Sequence, residues 1–268
     1  MAGIEPGMPE ALPAVADPDL ERRFGGLRRL WGETAYARLR GLRCAVVGLG
    51  GVGSWAAEAL ARSGVAELVL IDLDQVAESN INRQVQAVGR SVGQAKVDAL
   101  AERIADIHPG CRVHRVEEFA SADNWPALLP VAVDGVIDAC DQSQAKLALA
   151  AWALRERQLL VCVGAAGGKL QAQAVEVADL ADTTHDPLLA GLRQRLRKQA
   201  GAARQGHIGL SCVFSREAVR PPQDAACDGG TAGGDGSLNC HGYGSTVTVT
   251  ATFGLVAAGE LLRRATGR

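Results

Sequence analysis

The chain has 268 residues, enough for one sizeable α/β core with an elaborated second half. With 47% hydrophobic and 22% charged residues it has a globular composition, and its net charge of −2 does not advertise a general affinity for polyanions. Its seven cysteines, at 44, 111, 140, 162, 212, 227 and 240, form no C-x-x-C pair; they read as thiols in a reducing cytoplasm and argue against a zinc site of that type.

Residues 1–22 are rich in Ala, Pro, Glu and Gly and lack both a basic start and an apolar core. They are expected to be a disordered extension, not a signal peptide. Residues 23–40 are expected to form a helical arm. Cys44–Gly48 is a short apolar run that ends in glycine, the pattern of a buried strand. Small and apolar residues from Ser54 to Ala61 follow with helical spacing, so Gly48, Gly50, Gly51 and Gly53 sit in a strand–turn–helix loop with G-x-G-x-x-G spacing. Glycine allows a tight turn and close backbone approach to phosphate, and the helix N-terminus offers N–H donors and a positive dipole end. The loop therefore points to a nucleotide.

Glu67–Asp72 is a second apolar strand ending in an acid, and an acid there suits ribose hydroxyls; Asp74 follows two residues on. Next come Asn80, Arg83 and Gln84 in the run Ser79-Asn80-Ile81-Asn82-Arg83-Gln84. A helix opens near Lys96, with Val97, Leu100, Ala101 and Ile104 on one buried face. A cation at a helix N-terminus is unfavourable unless an anion is bound there. Arg83 and Lys96 are read together as neutralising a triphosphate and its departing pyrophosphate. A nicotinamide-dependent oxidoreductase would share the glycine loop and Asp72 but has no clear use for these cations.

Val133–Asp141 is expected to be a fourth strand ending in acids. Asp138 and Asp141 fall at its C-terminal end, where open α/β sheets bind ligands. A carboxylate there suits Mg2+, and Asp141, just beyond the strand, is the preferred ligand. Val161–Gly164 is expected to be a further central strand, and Ala172–Val177 the start of an antiparallel extension. The fold class is therefore α/β: a Rossmann-like, doubly wound, mainly parallel sheet with an antiparallel C-terminal extension. It forms one domain, residues 23–268, with a nucleotide-binding part (41–165) and a substrate-side part (166–268).

Arg193, Arg195, Arg197 and Lys198, with Arg204 beyond, make a basic stretch in which Leu189, Leu192 and Leu196 can face inward. Residues 221–244 are rich in Gly, Asp, Ala and Ser and are expected to form a mobile loop holding Cys227 and Cys240. The alternation Thr246-Val247-Thr248-Val249-Thr250 suggests a short strand, and the rest of the run to Leu262 a buried helix. That run is too polar for stable membrane insertion, leaving at most a peripheral association.

Gly48 to Gly53, Asp72, Asp74, Asn80, Arg83, Gln84, Lys96 and Asp141 resemble, in order and spacing, the ubiquitin-activating superfamily, which includes the bacterial adenylyltransferases of thiamine and molybdopterin synthesis. The resemblance implies that ATP with magnesium adenylates a carboxylate, releases pyrophosphate, and leaves an acyl-adenylate for a nucleophile. Within the superfamily, the chain from Arg23 onward is similar to the tRNA threonylcarbamoyladenosine dehydratases. The residues that carry this likeness are 23–32, 165–168, Asp186-Pro187-Leu188, 212–215 and 250–254.

This second likeness implies ATP-dependent cyclisation of threonylcarbamoyladenosine beside the tRNA anticodon, a homodimer, and a sulfur-transfer protein as a possible partner. The tRNA contact would then use the basic stretch. In relatives a loop near 221–244 carries a cysteine that takes the acyl group. Cys240 matches that place as a candidate catalytic residue beside Arg83, Lys96 and Asp141, with His241 next to it to tune the thiolate. Two departures matter. Adenylyltransferases for ubiquitin-like sulfur carriers, the alternative reading, usually carry two C-x-x-C pairs. The superfamily's N-terminal R-x-x-R, whose second arginine reaches a partner subunit's ATP, is broken by Gly26, with Arg29 as the substitute. A non-catalytic nucleotide sensor would not need the full set of catalytic positions.

Overall fold

The computed structural model describes residues 19–220 and 243–268. Cys227, Cys240 and His241 lie outside the described residues, as does most of the expected loop. Short apolar runs form the central strands and mixed polar segments the two edges: β1 (Arg43–Val47), β2 (Glu67–Ile71), β3 (Arg112–Val116), β4 (Gly135–Asp138), β5 (Leu160–Val163), β6 (Val175–Asp179) and β7 (Ser211–Ser215). Among the described residues they make one sheet in the order β3-β2-β1-β4-β5-β7-β6. Every neighbouring pair is parallel except β6 with β7, which is antiparallel.

Helices α1 (Leu20–Phe24), α2 (Gly26–Trp31) and α3 (Glu33–Gly41) precede the sheet. The crossovers and the C-terminus supply α4 (Gly53–Arg62), α5 (Lys96–Ile107), α6 (Ser143–Glu156), α7 (Pro187–Gln199) and α8 (Val247–Thr266). The two-residue period of the strands sorts the core into two layers. Cys44, Val46, Leu68 and Leu70 pack with α4, α5 and α8, whereas Ala45, Val47, Val69 and Ile71 face the layer of α6 and α7. Burial on both faces explains why the central strands read as continuous apolar runs.

Three local expectations are corrected. The helical arm begins at Leu20, inside the expected extension, because Asp19 caps it by accepting from Arg22 N at 3.0 Å. Phe24 is buried against His108, and Arg23 donates to the carbonyls of Asp106 and Ile107, closing the C-terminus of α5 and anchoring the arm. The antiparallel strand β6 begins at Val175, after a 3-10 turn at Ala172–Ala174. Residues 247–250 are helical, not a strand: Val249, Phe253, Ala257 and Leu261 make a buried stripe four residues apart, and that longer period overrides the short alternation. Among the described residues no helix is long and apolar enough to cross a membrane.

Helix α8 lies directly on α4. A Cβ at Gly254 would collide with the carbonyl of Val52 and lie 2.9 Å from Ala56 N, at the point where the glycine loop enters α4. Gly254→Ala is expected to cost about 2 kcal/mol, because overpacking against backbone outweighs the roughly 1 kcal/mol that alanine returns in helix propensity. A thermal melt checks this. Gly259→Ala on the same helix, where a Cβ would meet nothing, should lose no stability.

Candidate active site

Strand order reverses between β1 and β4, and there, at the C-terminal ends of the strands, a cleft of about 470 Å3 opens. Its lining includes Gly48, Gly50, Gly51, Asp72, Asp74, Asn80, Arg83, Gln84, Lys96 and Asp141. The structure thus brings together the sequence-predicted residues it describes, with Gly53 placed behind the turn.

The glycines of the loop have different reasons. Gly48 has φ +84°, and a Cβ on it would lie 2.9 Å from Cys140 N. A Cβ on Gly53 would collide with the carbonyl of Gly48. Both are required by the fold. A Cβ on Gly50 would meet nothing among the described residues, so its face is open to the cleft. Of the helices that open at this cleft, α4, α5 and α6 have no side-chain cap among the described residues, whereas α7 is capped by Asp186. The positive dipole ends of α4, α5 and α6 therefore converge where an anion can meet them.

Asp72 is buried at the end of β2. Its carboxylate accepts from Leu49 N at 2.6 Å and from Asp74 N at 2.9 Å, tying the glycine loop to the neighbouring strand. Burial pushes its pKa up, and Lys96 and the two amides pull it back without cancelling that effect. Lys96, the first residue of α5, is also buried; its Nζ lies 2.6 Å from Asp74 Oδ2 and 3.7 Å from Asp72 Oδ1. The anions that make a lysine tolerable at this helix start are thus the chain's own acid pair, a relation the sequence reading missed.

Arg83 is half-buried; its guanidinium donates to Ser79 O at 2.7 Å and Asn82 Oδ1 at 3.0 Å. Its backbone is held by Trp55, whose Nε1 donates to Arg83 O at 2.9 Å. Asn80 is buried and accepts from Ala77 N, and Gln84 accepts from Gln86 Nε2, so both shape the turn that presents Arg83.

At the end of β4 the two acids separate. Asp138 is fully buried and paired with the equally buried Lys146 at 2.9 Å, so it is not placed to hold a metal in the cleft. Asp141, beyond the strand, lines the cleft. Burial and the Asp138 carboxylate push the Cys140 thiol well up, so this cleft cysteine stays protonated. Burial opposes the charge on Lys146, yet Asp138 beside it holds its pKa above the ordinary lysine value.

The opposite wall comprises Gly164, Ala165, Ala166, Gly167, Leu188 and Tyr243. Asp186 caps α7 through Leu189 N at 3.0 Å and also accepts from Ala165 N at 2.8 Å, so α7 fixes that wall. Burial raises the Asp186 pKa against these two amides. In the sequence Asp186 stood out only through the family likeness, and its cap on α7 and its reach to Ala165 were not visible there. Glu118, Phe119 and Ala120 line the cleft after β3, a strand whose mixed polar pattern gave little signal.

The basic stretch is dispersed. Arg193 turns inward and donates to Leu180 O, Thr183 O and Thr183 Oγ1, each at 3.0 Å. Helix α7 starts at the cleft with Leu188, so Lys198 lies about 15 Å further along it. Arg29 is exposed on α2 and is absent from the described lining of its own chain's cleft.

The sequence pattern of the ThiF family matches residues 25–268. The chain belongs to the ThiF family. Among its relatives in the family, the Escherichia coli (strain K12) tRNA threonylcarbamoyladenosine dehydratase is 44% identical over 252 residues, 91% of this chain and 93% of that protein. The Haemophilus influenzae protein of the same name is 38% identical over 245 residues, 90% of this chain and 92% of that one. The crystal structure of the E. coli enzyme in complex with ATP aligns with a TM-score of 0.83 at 41% identity, covering 94% of this chain and 98% of that one. This ThiF-family chain therefore shares its fold with an ATP-binding relative over almost its whole length.

Proposed function

We propose that this protein is an ATP-dependent tRNA threonylcarbamoyladenosine dehydratase. What carries the reading is likeness over nearly the entire length to enzymes of that name, 44% in sequence for the E. coli protein. The cleft supplies a consistent chemistry. The glycine loop and the uncapped start of α4 receive phosphates, and Asp72 and Asp74 lie where a ribose would be held. Arg83 and Lys96 place positive charge beside the polyphosphate, where it counts most as charge shifts onto pyrophosphate.

A threonyl carboxylate oxygen attacks the α-phosphorus, and the bond to pyrophosphate breaks. The neighbouring carbamoyl group then gives up a proton and attacks the acyl carbon, closing a five-membered ring and releasing AMP. The oxygen formally lost as water leaves in AMP. Positioning supplies most of the catalysis of such an intramolecular closure, so no nucleophilic cysteine is required.

Magnesium fits this donor set as a phosphate-bound ion. Among the described residues no group of three or more His, Cys, Asp and Glu is placed to hold a metal, so Asp141 would share the ion with phosphate oxygens and water. When bound, it would neutralise phosphate charge. Asp141→Asn should raise the magnesium concentration needed for half-maximal turnover by about tenfold or more, read from a magnesium titration. An unchanged titration would reject Asp141 as a ligand.

The deciding experiment uses threonylcarbamoylated tRNA labelled with 18O in the threonyl carboxylate. Incubation with Mg-ATP should remove one water from the modified adenosine and place one label in AMP. Unconverted nucleoside, or unlabelled AMP, overturns the reading. Family membership also admits an adenylyltransferase for a ubiquitin-like sulfur carrier. Carrier-dependent ATP–pyrophosphate exchange without nucleoside conversion would favour that reading.

The proposal extends to a cytoplasmic, isologous homodimer of one adenylating domain, with a sulfur-transfer protein as partner and Cys240 as an accessory thiol. Light scattering after size exclusion tests the dimer, and Cys240→Ala should leave nucleoside conversion intact if ring closure is direct.

A further inference from the structure

The pair Asp138–Lys146 is the one fully buried ion pair among the described residues, with both side chains at 0% exposure and 2.9 Å between Nζ and Oδ2. Lys146 also donates to the backbone carbonyl of Asp138 at 3.3 Å. Desolvation makes such a pair a weak source of stability, since well-packed apolar residues often do as well. Its position suggests a different use. Asp138 is the last residue of β4, and Lys146 lies in the first turns of α6. Every residue between them belongs to the turn that carries Asp141 or to the start of α6.

The carboxylate also reaches into that turn. Asp138 Oδ1 accepts from Cys140 N at 3.2 Å and from Cys140 Sγ at 2.9 Å. The turn in turn rests on the glycine loop, because the space a Cβ would need at Gly48 is filled by Cys140 N and Ala139. Strand end, turn, helix start and glycine loop are therefore locked to one another through a single carboxylate. Neither charged group reaches the cleft.

We infer that Asp138 and Lys146 are positioning residues that hold Asp141 at a set distance from the glycine loop. The inference rests on reading the cleft as an ATP–magnesium site. Outer-sphere groups that orient a metal ligand typically change metal affinity or activity ten- to a hundredfold when removed, and an effect of about that size is expected here.

The test compares the parent with Asp138→Asn/Lys146→Met, which leaves no unpaired buried charge. Thermal melting, calorimetric titration of ATP at several magnesium concentrations, and separate kcat and KM values are measured. The double variant should melt close to the parent. It should need about tenfold more magnesium for tight ATP binding and lose kcat by at least as much. Parent-like magnesium dependence and kcat in a folded double variant would overturn the positioning role. If the double variant does not fold, Asp138→Asn alone serves: Lys146 and Cys140 use different carboxylate oxygens, and the one amide oxygen of asparagine can replace only one of them, so the tie between helix start and turn is broken. A raised magnesium requirement supports the role, and an unchanged one overturns it. Absence of magnesium-dependent ATP binding by the parent would overturn the reading of the cleft itself.

Discussion

Arg83→Ala should lower nucleoside conversion by about a hundred- to a thousandfold, the usual cost of removing one preorganised charge aimed at the reacting groups. The melting temperature should hardly move. Among the described residues, the hydrogen bonds of the Arg83 side chain go to Ser79 and Asn82, both within its own turn, and surface-turn contacts of this kind contribute little to stability. The turn itself is held by other atoms: Trp55 Nε1 bonds the Arg83 carbonyl, and Ser54 Oγ accepts from Val85 N at 3.4 Å. Arg83→Lys separates charge from shape. It keeps the cation but loses the planar fork, and should recover part of the rate. Full turnover in Arg83→Ala would remove this residue from the proposed chemistry.

Lys96→Met behaves differently because Lys96 is buried between two acids. The substitution should lower turnover by a similar factor and also destabilise the fold by about 2–3 kcal/mol, toward the low end for breaking a buried pair because Asp72 keeps two amide donors. The sign with pH follows from Asp72. Its folded pKa already lies above the ordinary carboxylate value, with burial the main cause, and loss of Lys96 removes an opposing influence and raises it further. A raised folded carboxylate pKa favours the fold at low pH and penalises it as pH rises through that pKa. The melting gap between parent and Lys96→Met should therefore be widest near neutral pH and narrow as acid protonates Asp72. Asp72→Asn/Lys96→Met should recover stability without recovering turnover. A gap that does not vary with pH would show that Asp72 is not the group left uncompensated.

The contrast between these two cations marks what the sequence by itself determined. Strand β1, the glycine loop and α4 were readable because their causes are local. Gly48 needs a left-handed turn, and the small residues of α4 follow at helical spacing. The order of Asp72, Asn80, Arg83, Lys96 and Asp141 was readable as a motif through its resemblance to the superfamily, with Asp72 and Asp141 just past their strands and Lys96 opening its helix. The mainly parallel sheet was readable from continuous apolar runs.

Tertiary structure decided which groups meet. Lys96 finds Asp72 and Asp74 more than twenty residues away only because α5 starts beside the end of β2. Asp138 became a buried partner of Lys146 rather than a cleft ligand because the last residue of β4 turns into the α6 layer, while Asp141 emerges past it. The alternating residues 247–250 became a helix because α8 can bury a stripe against α4 only with a helical period. Arg193 left the expected basic face to bond carbonyls in the loop before α7. Periodicity reports what a segment does with its own neighbours; the sheet order β2-β1-β4 decides which of those segments share a cleft.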